Sequence, residues 1–183
     1  MGCDIHAMYE YRKRYSVGSK GYWKNGGNPD IDRNYTIFSI LGNVRNSDNM
    51  PFIGEERLLD GLTDWFDSMP YEDQPCTEFV ELAKYWGRDG HSHSFVTLTE
   101  MKLFDVHQKY TSSRLITSKD DAGNITSTCS GTNGPHFGEV GETEIFGVWG
   151  TGSWDRLVAY GDMLGAYFGI NDEDIRLVFL FDN

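Results

Sequence analysis

Two short units of alternating aspartate and histidine stand far apart in this chain of 183 residues. Asp4 and His6 form the first unit, and Asp89 and His91 form the second. Residues two apart on an extended strand point to the same face, so each unit can offer a carboxylate and an imidazole to one ion. If the fold brings the two units together, they form a metal site.

The strands at the two ends of the chain are expected to position this site. Residues 3–11 alternate as a strand does, and residues 175–181 are the most apolar strand. Terminal strands often lie side by side, which would add the carboxylate of Asp182. Mixed oxygen and nitrogen ligands suit zinc, manganese or iron. The expected ligands are Asp4, His6, Asp89, His91 and Asp182. The alternative is structural: Asp89 caps a turn, and the histidines make local hydrogen bonds.

The remaining periodicities predict an α+β fold. Helices are expected from Asn34 to about residue 46, over residues 55–66 and over 77–86, over 97–110 from a capping box of Thr97 and Glu100, and after residue 153. Residues 113–118 and 124–129 are expected to form a hairpin. We therefore predict one domain, residues 1–183, with a mixed or antiparallel sheet that contains the N- and C-terminal strands and packs against about four to five helices.

Acidic residues are concentrated in one segment of a chain whose net charge is -12. Residues 47–82 hold ten acids and one base, Arg57. This segment will repel nucleic acid, so no contact with a nucleic-acid backbone is expected there. Two interpretations stay open for this acidic, helical insertion: a solvated surface, or a surface that binds a basic host protein.

A hairpin and glycine-rich region spans residues 111–152, with seven glycines between 131 and 152. A glycine turn before a helix can hold a phosphate, but Asp155 would place a negative charge in the first helical turn. The chain has no G-x-G-x-x-G motif. No nicotinamide, flavin or haem cofactor is expected.

The cellular context is read from what the chain lacks. Its three cysteines form no C-x-x-C pair, which argues against a disulfide framework. No apolar run reaches the roughly 18 to 20 residues that span a bilayer, and the first residues do not form a signal peptide. We expect a cytoplasmic protein without a membrane partner, and an oligomer stays open.

Fragments spread over nearly the full length resemble a family of small, uncharacterised proteins encoded by phages and prophages. They are Met-Gly-Cys-Asp-Ile-His at the start, Arg-Asn-Tyr at 33–35, Val-Arg-Asn at 44–46, His-Ser-His-Ser at 91–94 and Arg-Leu-Val-Phe-Leu-Phe-Asp-Asn at the end. The resemblance implies a phage context, hence the host cytoplasm, and a functional role for Asp4, His6, Arg45, Asp89 and His91. It implies no particular activity. The long acidic segment departs from the family.

A second, partial resemblance is to metallophosphoesterases, which begin with D-x-H on their first strand and carry a later G-H-x-H. Residues 4–6 and 90–93 match these elements in type and order. The intermediate elements G-D-x-x-D and G-N-H-[DE] are missing, so membership is not implied.

Two classes of function follow. The first is a metal-dependent hydrolase of a phosphodiester or nucleotide-like substrate, with Arg45 or Arg33 holding the phosphate and His93 acting as acid or base. The second is a non-catalytic counter-defence protein that sequesters a nucleotide signal, with Tyr35 or Trp149 stacking on a base, or that binds a host protein. The residues assigned to substrate binding are Arg33, Asn34, Tyr35, Arg45, Arg88 and Ser92.

Overall fold

The computed structural model describes residues 3–14, 18, 20–47, 49–54, 70–130, 139–145 and 151–182. The strands are β1 (Ile5–Tyr11), β2 (Lys24–Gly27), β3 (Gly90–Thr97), β4 (Lys109–Lys119), β5 (Ile125–Ser130), β6 (Glu139–Glu144) and β7 (Ile175–Asp182). The helices are α1 (Tyr35–Gly42), α2 (Thr77–Trp86), α3 (Leu98–Leu103) and α4 (Gly152–Phe168), followed by a 3-10 turn, Asp172–Asp174. The predicted α+β class is confirmed.

The central sheet has four strands in the order β2-β1-β7-β3, and every pair is antiparallel. The first and last strands of the chain, β1 and β7, lie side by side, as predicted. A second antiparallel sheet has the order β5-β4-β6. It contains the predicted hairpin, whose turn is fixed where Asp120 accepts from the amides of Ala122 and Asn124.

Helices cover both faces of the central sheet because its strands are apolar on both sides. On the face covered by α2, here the α2 face, Met8 and Leu180 pack with Phe79 of the helix. On the opposite face, here the α1–α4 face, Phe179 and Phe181 pack within the larger core, to which α1, α3 and α4 also contribute. Every residue of β7 from Ile175 to Phe181 is buried, and all of them except Arg176 are apolar.

Asn34 begins α1 as predicted, because its Oδ1 accepts from the amides of Thr36 and Ile37 at 3.1 and 3.3 Å. The helix ends at Gly42, earlier than expected. Asn43 adopts a left-handed conformation, φ 56°, and its amide closes the last turn on the carbonyls of α1.

The predicted helix over 77–86 is confirmed, and Gly87 ends it with φ 52°. Thr97 and Glu100 form the predicted capping box at the start of α3. The expected extension of this helix to residue 110 is wrong. Here α3 ends at Leu103, and Asp105 starts a turn by accepting from the amide of His107 at 3.0 Å, after which β4 begins.

The predicted helix over 55–66 lies outside the described residues, as do positions 131–138 and 146–150 of the glycine-rich region. Of the helices that the structure describes, none combines the length and apolar character that a bilayer crossing requires.

Candidate functional site

Asp4 and Asp182 bind each other at the end of the central sheet where β1 starts and β7 finishes. The Asp182 amide donates to the Asp4 carbonyl at 3.1 Å, and the Asp4 amide donates to Asp182 Oδ1 at 2.8 Å. The second carboxylate oxygen, Oδ2, lies 3.3 Å from His6 Nε2. Both oxygens of Asp182 are therefore held by the first strand, and its side chain is only 14% exposed.

The His6 ring is held between this carboxylate and helix α2. It stacks on Trp86 with the ring centroids 4.4 Å apart and the planes tilted by 31°. One quarter of the His6 side chain is exposed, 25%, so the imidazole can be reached from solvent. Among the described residues, Asp182 is its hydrogen-bond partner.

Arg33, in the segment that precedes α1, binds the Asp4 carboxylate. Its Nε and Nη2 each donate to one carboxylate oxygen at 2.6 Å. This bidentate contact holds the pKa of Asp4 below its ordinary value. Both side chains are about half exposed, so the pair is open to exchange with another anion.

A second guanidinium reaches the same end of the sheet from the other side. Arg45, with φ 58°, follows α1 and hydrogen-bonds the thiol of Cys3. Cys3 has no exposed surface, and burial raises the pKa of its thiol while Arg45 opposes the rise. Arg33 thus contacts the Asp4 carboxylate directly, whereas Arg45 reaches the same end of the sheet through Cys3, the residue before Asp4.

The second Asp-x-His unit approaches the same end through β3, but its histidine lies on the other face. Gly90 pairs with Asp182, and His91 pairs with Phe181. On β1, His6 pairs with Leu180. The partners of the two histidines are adjacent residues of β7, and adjacent residues of a strand point to opposite faces of the sheet. His6 is therefore on the α2 face and His91 is on the α1–α4 face. His91 stacks on Phe181 there, with centroids 6.1 Å apart.

A β-bulge follows His91, because one extra residue of β3 is accommodated before Ser94. Ser92 takes φ 52° in this bulge, and its Oγ lies 3.0 Å from His91 Nδ1. The other ring nitrogen of His91, Nε2, is buried and has no hydrogen-bond partner among the described residues. His93 turns back to the α2 face beside Gly90 and Trp86, and it is only 2% exposed.

The other residues assigned from sequence have different positions. The Asp89 amide donates to the Trp86 carbonyl at 3.0 Å, so Asp89 belongs to the turn after α2. The Asn34 side chain caps α1. Tyr35 is 44% exposed and meets Phe38 edge-on, and Arg88 is exposed.

The structure therefore brings together Asp4, His6, Asp182 and Arg33, with Arg45 close by through Cys3. It does not place the His91 ring beside the His6 ring. No three His, Cys, Asp or Glu side chains in the part of the chain that the structure describes are grouped closely enough to hold one ion.

Sequence reasoning overlooked two members of this site, Trp86 and Cys3. Trp86 is the last residue of α2, three residues before Asp89, so its place could have been inferred once the helix stop at Gly87 was known. Cys3 directly precedes Asp4, and no motif marks it as a partner of Arg45.

Comparisons with models of known protein families, with curated proteins and with solved structures gave no match to this chain. The chemistry of the site is therefore inferred from the geometry of the sheet end.

Proposed function

We propose that this protein is a phage-encoded, metal-dependent hydrolase that acts on a phosphodiester or nucleotide-like substrate at the Asp4–Asp182 end of the central sheet. One observation carries the proposal: His6 Nε2 and Asp182 Oδ2 face each other at 3.3 Å, with the carboxylate fixed in place by the Asp4 amide. The resemblance to phage proteins supports the biological context.

The 3.3 Å separation suits two neighbouring ligands of one ion. Hydrogen bonds from nitrogen to oxygen most often measure about 2.9 to 3.0 Å. Two ligands held about 2.0 to 2.1 Å from a tetrahedral ion stand about 3.3 to 3.4 Å apart. The Asp4 amide on Oδ1 and the Trp86 ring under His6 supply the outer contacts that orient such ligands.

The third ligand in this proposal is Asp4, whose carboxylate is bound by Arg33 in the structure. A phosphate group is an equally good bidentate partner for a guanidinium. Substrate binding to Arg33 would release Asp4 to the ion, so site assembly would depend on substrate. Arg45 would hold a second phosphate oxygen.

The ion would polarise a phosphoryl oxygen and lower the pKa of a bound water. Asp4, His6 and Asp182 would fix its position relative to the two arginines. The proposal gives His93 no contact with substrate, because only 2% of its surface is exposed. His91 and Asp89 are not needed as ligands, since the His91 ring lies on the other face.

Metal analysis tests this proposal. The protein, purified without a polyhistidine tag, should contain a divalent ion or gain thermal stability when zinc, manganese or iron is added. It should also hydrolyse a chromogenic phosphodiester. His6→Ala and Asp182→Asn should remove both effects, whereas His107→Ala, at an exposed position, should change neither. If no divalent ion is bound and none raises the melting temperature, the metal-dependent hydrolase is rejected.

Sequestration of a nucleotide signal is the second candidate, because two guanidiniums at one sheet end can hold a phosphate without cleaving it. A nucleotide incubated with the protein and recovered by heat denaturation should then return intact, and a degraded product would reject sequestration. Binding of a host protein through residues 47–82 stays a proposal. Charge reversal at Glu55, Glu56, Asp60 and Asp64 should abolish such binding.

A further inference from the structure

We infer that a cavity on the α1–α4 face, beside the sheet end, binds a nucleobase, so the substrate or ligand of the site is a nucleotide. This inference rests on the proposed function, in which the Asp4–Asp182 end of the sheet binds the phosphate of the ligand. It adds a site for the base of the same ligand. The cavity measures 410 Å³, which falls within the about 300 to 1,000 Å³ of ligand pockets. The lining includes Asn43, Val44, Phe52, Ser92 and Ser94.

Two stretches of chain lead from the cavity lining to the sheet end that holds Asp4 and Asp182. Val44 lines it, and the next residue, Arg45, reaches Cys3 directly before Asp4. Ser92 lines it as well, two residues after Gly90, which pairs with Asp182. A ligand that filled the cavity could therefore place a phosphate near Arg45.

The lining combines an aromatic surface with hydrogen-bonding groups. Phe52 is 42% exposed and offers a ring on which a base can stack. The Ser92 hydroxyl is oriented by His91 Nδ1 at 3.0 Å. Asn43 accepts from Asn46 through Oδ1 at 2.7 Å, which leaves its amide nitrogen as a donor. A base has acceptors and donors on its edges and a flat apolar face, so it matches all three groups.

The segment that carries Phe52 is held in place. The Asn46 side chain donates to the Met50 carbonyl and accepts from the Met50 amide, both at 2.7 Å. The Ile53 amide donates to the Ile40 carbonyl at 2.9 Å. A Cβ at Gly54 would overlap the Leu41 carbonyl, so the chain can pass this close to α1 only as glycine. The Phe52 ring is thus presented from a fixed backbone.

Equilibrium binding to the full chain tests the inference. The probes are the four ribonucleoside 5′-monophosphates and ribose 5-phosphate, measured by calorimetry. At least one nucleotide should bind at least tenfold more tightly than ribose 5-phosphate, since the base adds stacking. Phe52→Ala should remove most of that advantage. Tyr85→Ala deletes another exposed ring and should keep it.

Ser92→Gly is a second variant, because glycine tolerates the positive φ and the substitution removes only the short hydroxymethyl side chain. It should weaken nucleotide binding several-fold and leave ribose 5-phosphate unchanged. Equal affinity for all five probes, or a nucleotide preference that survives Phe52→Ala, would overturn the inference.

The two proposals fail separately. If binding depends on the base but no nucleotide is hydrolysed with any of the metals tested, the hydrolase is rejected and the base site is retained. Hydrolysis of a chromogenic phosphodiester without a base-dependent gain in affinity rejects the base site and keeps the hydrolase. His6→Ala should abolish hydrolysis and preserve the nucleotide preference.

Discussion

Glu10 and Arg176 form an ion pair inside the protein, with Nε 2.6 Å from Oε2 and side-chain exposures of 0% and 3%. The pair joins β1 to β7 on the α2 face. The Arg176 guanidinium also lies 3.9 Å above the Trp23 ring, and Glu10 Oε1 accepts from the Cys76 amide just before α2. A buried charge in this position depends on its partner.

Removing either partner should therefore destabilise the protein strongly. We expect Arg176→Met and Glu10→Met each to lower the free energy of unfolding by about 3 to 5 kcal/mol, measured in urea. The double variant Glu10→Met/Arg176→Met should lose less than the sum of the single losses. Lys20→Met, in the exposed pair with Asp73, should stay within about 1 kcal/mol of the parent. Single losses as small as that of Lys20→Met would contradict this account.

Cys76 should make stability depend on alkaline pH. Burial raises the pKa of its thiol above the ordinary 9.0, so above about pH 9 the unfolded chain loses a proton that the folded chain keeps. Unfolding is then favoured as pH rises, and the stabilisation that Cys76 provides below pH 9 is lost.

Urea unfolding under reducing conditions between pH 7 and 10.5 measures this effect. The stability of the parent minus that of Cys76→Ala should be constant below pH 9 and shrink above it. Tyr9, whose pKa burial also raises, is present in both proteins and cancels. A difference that stays constant to pH 10.5 would show that the thiol does not titrate differently in the two states.

Variants of Asn34 test whether this residue caps a helix or binds a ligand. Asn34→Ala should lower the free energy of unfolding by about 1 kcal/mol, because the Thr36 and Ile37 amides lose their acceptor. Asn34→Asp should restore that stability. Nucleotide affinity of the folded protein should be equal in all three proteins, and a tenfold loss in Asn34→Ala would place the residue in the ligand site instead.

The three histidines His6, His93 and His107 should respond differently to alanine. His93→Ala should destabilise the protein by about 1 to 3 kcal/mol, because a buried polar side chain is lost. Its hydrolysis rate per folded molecule should stay within about twofold of the parent, as expected for a group without substrate contact. His6→Ala should lose activity with a smaller loss of stability than His93→Ala. His107→Ala should change neither activity nor stability. Loss of activity at full stability in His93→Ala would return the catalytic role to His93.

The elements of the fold were predictable where local chemistry decides them. The Asn34 cap, the Thr97–Glu100 box and the stop at Gly87 each depend on a few neighbouring residues, and all three are present. Alternation and apolar runs located β1 and β7. The helix after Thr97 was predicted too long, because one side-chain contact of Asp105 redirects the chain and periodicity does not report such a contact.

The site was predictable in part for a similar reason. The sequence predicted that the terminal strands pair, and this pairing is what brings Asp4, His6 and Asp182 together. The face on which His91 lies depends on strand register, and a one-residue difference moves a side chain across the sheet. The bulge at Ser92 then returns His93 to the first face, and no pattern in the sequence signals that extra residue.

The position of β7 also has a consequence for folding kinetics. β1 and β3 do not pair with each other, and β7 lies hydrogen-bonded between them. The contact of His6 with Asp182 spans 176 positions, so the central sheet closes a very long loop, which predicts slow folding. Because Asp4, His6 and Gly90 acquire their neighbours only when β7 inserts, ligand binding at this sheet end should appear in the same kinetic phase as the completed core.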